Sequence, residues 1–345
     1  MKSALDSAVD KLVCDYMKEG KRVGLSLGVN YKGQSFTYNY GETSPGSGIL
    51  PTDRSVYEIG SITKTFTGLL MAHAITEQRI SLNDDIRKFL PGSFPNLQYP
   101  NGDPVQIAYL LAHTAQFPNS FSNVRGAFSD VLKMAKRNDA FIDSLHKIRL
   151  DSLKLFRYRY SNVGYQLLGL ILERVYNKSY ADLISQYITK PLGMPQTKIA
   201  YAGDEAGFLL KGHGANKELV PPLEAILPGS GSLHSSVRDL LKYANDQTEE
   251  KTPELRLTHR IIFGDVDKEA YGFQWAIGKT WGWDQYLRID GGTQGFRTFC
   301  VIYPLHGISI VILSNQKDDS AGAGLYKVVT GIYGSLKSVM KGKKF

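Results

Sequence analysis

Ser61-Ile62-Thr63-Lys64 sets an alcohol and an amine three residues apart, a spacing that on a helix puts both on one face, one turn from each other. The chemistry on offer is nucleophilic catalysis. A serine hydroxyl attacks a carbonyl only when a base takes its proton, and a lysine is such a base once burial or nearby positive charge lowers its pKa. A helix N-terminus works in the same direction. Its partial positive charge favours an alkoxide and disfavours an ammonium, typically by about 0.3–1 kcal/mol. The spacing alone is cheap, since Ser144-Lys147, Ser314-Lys317 and Ser338-Lys341 repeat it. Ser61 differs from those serines in following a glycine and opening a run, Ser61 to Gln78, that reads as an amphipathic helix with Phe66, Leu69, Leu70 and Ala74 on one face.

A second group of chemically able residues is Tyr160-Ser161-Asn162, directly before a helix-patterned stretch from Gly164 to Tyr176. A phenol relays protons, and an asparagine amide both donates and accepts. Tyr99-Pro100-Asn101 and Tyr243-Ala244-Asn245 share the spacing. A competing nucleophile is Ser26, in Gly24-Leu25-Ser26-Leu27-Gly28, a formal match to the nucleophile elbow. That device needs a strand, a sharp turn at the serine, then a helix. Here a second strand follows, and Ser26 reads as a strand residue. The seven histidines show no metal-ligand spacing, and His113 reads as a structural hydrogen-bonder. The glycine-rich run from Gly291 to Gly295 lies between two strands, without the following helix that a phosphate cradle requires. No cofactor and no metal are expected.

The elements that must position these groups follow from periodicity. Residues 3–19 read as a helix, and residues 23–41 as a hairpin turning at Lys32-Gly33. Residues 85–227 are mostly helical segments broken by proline and glycine, with loop-like chain over 202–228. Ser236 caps a helix ahead of Asp239. The last hundred residues carry short strands (271–278, 285–289, 296–304, 308–315) and a final helix over 323–340. The fold class is α/β of the α+β type: one antiparallel β-sheet built from both ends of the chain and flanked by helices, plus an all-helical subdomain. The expected organisation is one catalytic domain over 1–345, its sheet part from about 1–60 and 230–345, its helical part from about 61–229.

Composition narrows the class further. With 345 residues, 42% hydrophobic and 21% charged, the chain can bury a sizeable core. Two cysteines, Cys14 and Cys300, exclude a stapled scaffold; they read as isolated thiols, with a bridge between them as the alternative. The net charge is +8, part of it in Lys337, Lys341, Lys343 and Lys344, and speaks of solubility rather than a nucleic-acid partner. No run of about 18 apolar residues predicts a membrane span. The chain reads as soluble, periplasmic or secreted if a signal peptide was removed and otherwise cytoplasmic. Oligomeric state is not legible.

Taken together, the segments resemble the serine β-lactamase and penicillin-binding-protein-like family, with closest similarity to class C β-lactamases, D-aminopeptidases and esterases of that fold. The likeness runs in order through Tyr57-Glu58-Ile59-Gly60-Ser61-Ile62-Thr63-Lys64-Thr65-Phe66, Ser81-Leu82-Asn83-Asp84-Asp85, Phe89-Leu90-Pro91 and Leu110-Leu111-Ala112-His113-Thr114. It continues through Tyr160-Ser161-Asn162-Val163-Gly164-Tyr165, Pro191-Leu192-Gly193-Met194, Gly231-Ser232-Leu233-His234-Ser235 and Gly291-Gly292-Thr293-Gln294-Gly295-Phe296. The resemblance implies a site in a groove between sheet and helices. Ser61 would be the acylated nucleophile, Lys64 its proton partner, Tyr160 the base, and Asn162 a contact to the substrate amide. Backbone N–H groups of Ser61 and Gly292 would form the oxyanion hole.

One departure stands out. Where relatives carry Lys-Thr-Gly, or His or Trp first, this chain has Ile289-Asp290-Gly291. A cation or aromatic is replaced by an aliphatic side chain and a hydroxyl by a carboxylate, which would repel an anionic substrate at close range. Arg288 and Arg297 read as solvated or paired with Asp290. The sequence therefore predicts a serine hydrolase acting through an acyl-enzyme on Ser61, with an ester, a D-amino-acid peptide or a β-lactam as small-molecule substrate. Substrate-binding positions are Asn162, Asp290, Gly291 and Gly292. Two rival readings stand: a Ser26-centred esterase, and a non-hydrolytic penicillin-binding or peptidoglycan-recognising protein.

Overall fold

Lys32 and Gly33 both take positive φ, 52° and 73°, which folds strand Gly24–Tyr31 back on Gln34–Gly41 in a two-residue hairpin. The computed structural model describes residues 4–19, 22–121, 131–151, 157–222, 228–318 and 320–340. The N-terminal hairpin joins strands from the other end of the chain. Across the eight-stranded antiparallel sheet the order is Gln34–Gly41, Gly24–Tyr31, Ile308–Ser314, Arg297–Tyr303, Gln285–Gly292, Ala276–Lys279, Glu269–Tyr271 and Phe263–Asp265. Every residue of Ile308–Ser314 is buried, as a central strand covered on both faces requires.

One face packs on helices Ala4–Glu19 and Ala321–Met340, through Val9, Val13, Leu27, Phe299, Val301, Ile310, Leu325 and Ile332. On the other face helix Val237–Glu249 crosses the sheet, and Gly28 leaves the room that the Leu241 side chain fills. Its cap is the expected one, the Ser236 hydroxyl accepting from the Asp239 N–H at 3.2 Å. Helices Thr63–Thr76, Ile107–Leu111, Val131–Leu145, Asn162–Tyr176 and Tyr180–Ile184 complete that side. Both cysteines are free, Cys14 exposed and Cys300 buried. They lie on opposite faces of the sheet, which removes the bridge that the sequence left open.

Two local expectations change. The stretch 271–278 is not one strand: it breaks after Tyr271 and resumes at Ala276, because Gln274 takes φ 79°. The helix after Ser61 is not amphipathic. It begins at Thr63, after a short 3-10 turn Gly60–Ile62, and residues Thr63 to Ala72 are all buried. It runs through the core, so apart from Lys64 its buried residues are apolar or small on every side. No helix among the described residues is long and apolar enough to cross a membrane. Lys341, Lys343 and Lys344 lie outside the described residues.

Candidate active site

Strand Val56–Glu58 leads into Ile59, and Gly60 then turns the chain with φ 52°. A Cβ at Gly60 would stand 2.7 Å from the Gly292 nitrogen and 2.8 Å from its oxygen, so only glycine lets these two backbones touch. This contact brings the Ser61 turn against the end of strand Gln285–Gly292. Gly291 is equally constrained, since a Cβ there would fall 2.2 Å from the Ile59 oxygen. Gly291 therefore serves the approach of the two segments and does not line the cleft. Residues 285–288 of that strand pair with Ala276–Lys279, whereas Ile289–Gly292 have a strand on one side alone. The free edge faces the Ser61 turn.

The sequence-predicted residues converge here. The Ser61 Oγ and Tyr160 Oη are hydrogen-bonded to each other. Lys64 Nζ lies 3.2 Å from Ser61 Oγ and donates to Asn162 Oδ1 at 2.7 Å and to the Ser230 carbonyl at 2.5 Å. Its Nζ sits over the Tyr160 ring, 4.8 Å from the centroid. Lys64 is fully buried. Desolvation pushes its pKa well down, opposed only by the more distant negative charge of Asp290. A neutral amine fits its surroundings: two N–H bonds go to Asn162 and Ser230, and the lone pair faces the serine hydroxyl. Desolvation also raises the Tyr160 phenol, against a lowering hydrogen bond from Ser61. Tyr160 is thus a phenol at neutral pH.

Tyr160 is held by a network that no motif announced. Ser161 caps helix Asn162–Tyr176, its Oγ accepting from the Gly164 N–H at 3.0 Å. The Ser161 N–H donates to His113 Nδ1 at 3.0 Å, and His113 Nε2 lies 2.6 Å from Gln274 Oε1. The Nε2–H tautomer satisfies both contacts. Burial above all drops the His113 pKa to about 3, with the Gln274 bond opposing. The neutral imidazole packs 4.6 Å from the Tyr160 ring. His113 is a hydrogen-bonder, as read from the sequence. Asn119 Oδ1 accepts from Asn162 Nδ2 at 2.9 Å, so the Asn162 amide is already engaged at both ends. Gln274, Asn119 and the Ser230 carbonyl went unrecognised; a backbone oxygen has no sequence signal, and the other two stand in no repeated pattern.

These groups open on a cleft of about 410 Å³ lined by Ser61, Tyr158, Tyr160, Asn162, Ile289, Asp290 and Gly292, among others. Ile289 forms an apolar wall where relatives are expected to hold a cation. Arg288 is bound to Glu269 at 2.9 Å and lies 4.0 Å from Asp290. A larger groove, about 650 Å³, is lined by Ile184, Met194 and Leu233 and touches none of Ser61, Lys64 and Tyr160. Among the described residues no cluster of His, Cys, Asp or Glu could hold a metal ion. Ser26 lies mid-strand, its Oγ bonded to Asn39 Oδ1 at 2.7 Å and Tyr57 Oη at 2.9 Å. It has neither the strained turn nor, among the described residues, a histidine partner, which counts against the Ser26-centred reading.

A family model described as Beta-lactamase matches residues 9–329. The chain belongs to the beta-lactamase family. Protein flp of Staphylococcus aureus (strain N315) is 27% identical to this chain over 331 residues, covering 90% of this chain and 63% of that protein. The chain thus spans less than two thirds of that relative's length. A protein named Beta-lactamase from Providencia stuartii is 24% identical, covering 89% of this chain and 86% of its own. The crystal structure of a Beta-Lactamase/D-Alanine Carboxypeptidase from Pseudomonas syringae superposes with a TM-score of 0.80 at 22% identity, covering 95% of this chain and 99% of the other. The fold it shares with this chain is the antiparallel sheet with flanking helices described above.

Proposed function

We propose that this beta-lactamase-family chain is a serine hydrolase that forms an acyl-enzyme on Ser61. The observation that carries the reading is the meeting of Ser61, Lys64 and Tyr160 in one cleft, with the lysine buried deeply enough to favour its neutral form. In acylation the Ser61 Oγ attacks the substrate carbonyl while its proton passes to the Lys64 amine. The backbone N–H groups of Ser61 and Gly292 receive the oxyanion, an interaction whose loss typically costs about 10²–10³ in kcat. Collapse of the adduct breaks the bond to the leaving group, which takes the Tyr160 phenol proton; Lys64 returns a proton to Tyr160. The raised phenol pKa supports this relay over a resting tyrosinate. In deacylation water attacks the ester carbonyl, its proton enters the same relay, and Ser61 leaves as the alcohol.

The substrate is an ester, a D-amino-acid peptide or a β-lactam. A second reading, stable acylation without turnover, is favoured by the aliphatic Ile289, which leaves Tyr160 with one fewer positive neighbour to assist water activation. Intact mass spectrometry after incubation with p-nitrophenyl acetate, a fluorescent penicillin or a D-alanyl depsipeptide separates the two. Turnover with a transient adduct on the Ser61 peptide is the expected result, and the Ser61→Ala variant should show neither. Hydrolysis persisting in folded Ser61→Ala would refute the assignment. A permanent adduct without product would select the second reading.

A further inference from the structure

A second cavity, of about 320 Å³, lies on the face of the sheet that helix Ala321–Met340 covers, away from helix Thr63–Thr76. It is in the size class of small-ligand sites. The helix leaves the outer side of strand Gln285–Gly292 partly open, and Tyr286 and Arg288 stay half-buried there. The walls are aromatic. Tyr303 and Tyr333 stack with ring centroids 3.8 Å apart, Tyr286 tilts against Tyr303 at 6.3 Å, and Tyr326 meets Phe299 edge-on at 6.4 Å. Trp281 stands at the rim, fully exposed. Its turn is closed by the Thr280 N–H to the Asp284 carbonyl and the Trp283 N–H to the Thr280 carbonyl, both at 2.9 Å. An indole held in water gains nothing from its apolar area until something covers it.

The second observation is charge. Lys279, Arg288 and Lys337 line the cavity, and among the described residues no carboxylate does. Each cation has an acid behind it: Asp267 for Lys279 at 2.5 Å, Glu269 for Arg288 at 2.9 Å, and Asp284 for Lys337. Each of these ion pairs takes one N–H of an ammonium that carries three or a guanidinium that carries five. Donors therefore remain for an anion. Arg288 also lines the active-site cleft, 4.0 Å from Asp290.

We propose that this cavity is a second ligand site for a flat aromatic anion, its ring among the tyrosines and Trp281 and its charge on Lys279, Arg288 and Lys337. Through Arg288 the occupant also reaches the active site. A bound anion draws the guanidinium toward itself, so that Asp290 is less offset and its negative charge opposes the oxyanion formed in acylation and again in deacylation. Occupancy thus slows both steps without filling the cleft. That consequence rests on the acyl-enzyme reading above; the binding itself does not.

The probes are 2-naphthoate and its neutral analogue 2-naphthamide. Titration calorimetry should show naphthoate bound about 10–100-fold more tightly, the range of a charge-assisted hydrogen bond, with the gap narrowing as NaCl rises. Arg288→Gln should remove most of that preference. Thr330→Trp, at an exposed helix position on the cavity wall, should block both probes while thermal unfolding stays cooperative. With p-nitrophenyl acetate as substrate, saturating naphthoate should lower kcat and kcat/KM together by about fivefold, the low end of a typical coupling. Equal affinity for the two probes, or naphthoate binding that survives Thr330→Trp, would overturn the site. Inhibition relieved by added substrate would place the probe in the cleft and overturn it as well. Naphthoate bound with turnover unchanged would overturn the link through Arg288. A failure of the serine reading shows separately, as hydrolysis that persists in Ser61→Ala while calorimetry still reports the second site.

Discussion

Replacing Lys64 by methionine tests the electrostatic centre of the site. Methionine fills similar volume without an ionisable group, so packing against Tyr160 and Tyr165 is largely kept. In the unfolded chain a lysine titrates near 10.4, whereas desolvation holds the folded Lys64 well below its ordinary value. Between those two pKa values the unfolded state binds a proton that the folded state does not, so stability rises with pH. The slope is about 1.4 kcal/mol per pH unit for one proton over the range between the two pKa values. Lys64→Met removes that slope, while other titrating groups cancel in the comparison. Urea unfolding of both proteins at several pH values should give a stability difference that moves by this amount in favour of the wild type as pH rises. At fixed pH the variant leaves the Asn162 and Ser230 oxygens without a donor, at about 1–3 kcal/mol each. It should also lose about 10²–10⁴ in kcat. A stability difference independent of pH would show that Lys64 is not held neutral by the fold, and the general-base assignment would fall with it.

Two further expectations concern other parts of the molecule. Tyr160→Phe removes the hydroxyl bonded to Ser61 while leaving the ring against His113; kcat on a p-nitrophenyl ester should fall by about 10²–10⁴, and activity within threefold of wild type would exclude the relay. Asp284 accepts from Tyr333 at 2.7 Å and pairs with Lys337 and His306, contacts that outweigh desolvation and hold its pKa at about 2. Because the folded pKa lies below the unfolded one, this stabilisation is present above about pH 4 and is lost as pH falls toward 2. Asp284→Asn should therefore lower the Tm at pH 7 and make little difference near pH 2, as read by differential scanning calorimetry.

Local rules accounted for much of what is seen. The Lys32-Gly33 hairpin, the Ser236 cap and the helix from Asn162 to Tyr176 each depend on neighbours in the chain, where turn preferences and apolar periodicity act. The spacing from Ser61 to Lys64 and the run Tyr160-Ser161-Asn162 likewise named, before any fold was known, side chains that the fold brings into contact. The continuous strand expected over 271–278 went astray because Gln274 takes a left-handed conformation that its residue type does not advertise. That turn presents the Gln274 amide to His113, 161 residues away in the chain.

The residues of the site were written in the linear sequence; their states were not. Whether Lys64 is an ammonium or an amine depends on how completely water is excluded around it, and that exclusion comes from segments as distant as Ser230. The same holds for charge in the cleft. From sequence, Arg288 and Arg297 both read as solvated or paired with Asp290, but the sheet places Arg288 beside Glu269 and Asp290, and Arg297 across Gly292. Periodicity reports which face of an element a side chain occupies. Proton affinity and charge pairing fall off over a few ångströms, so only the tertiary packing could decide them.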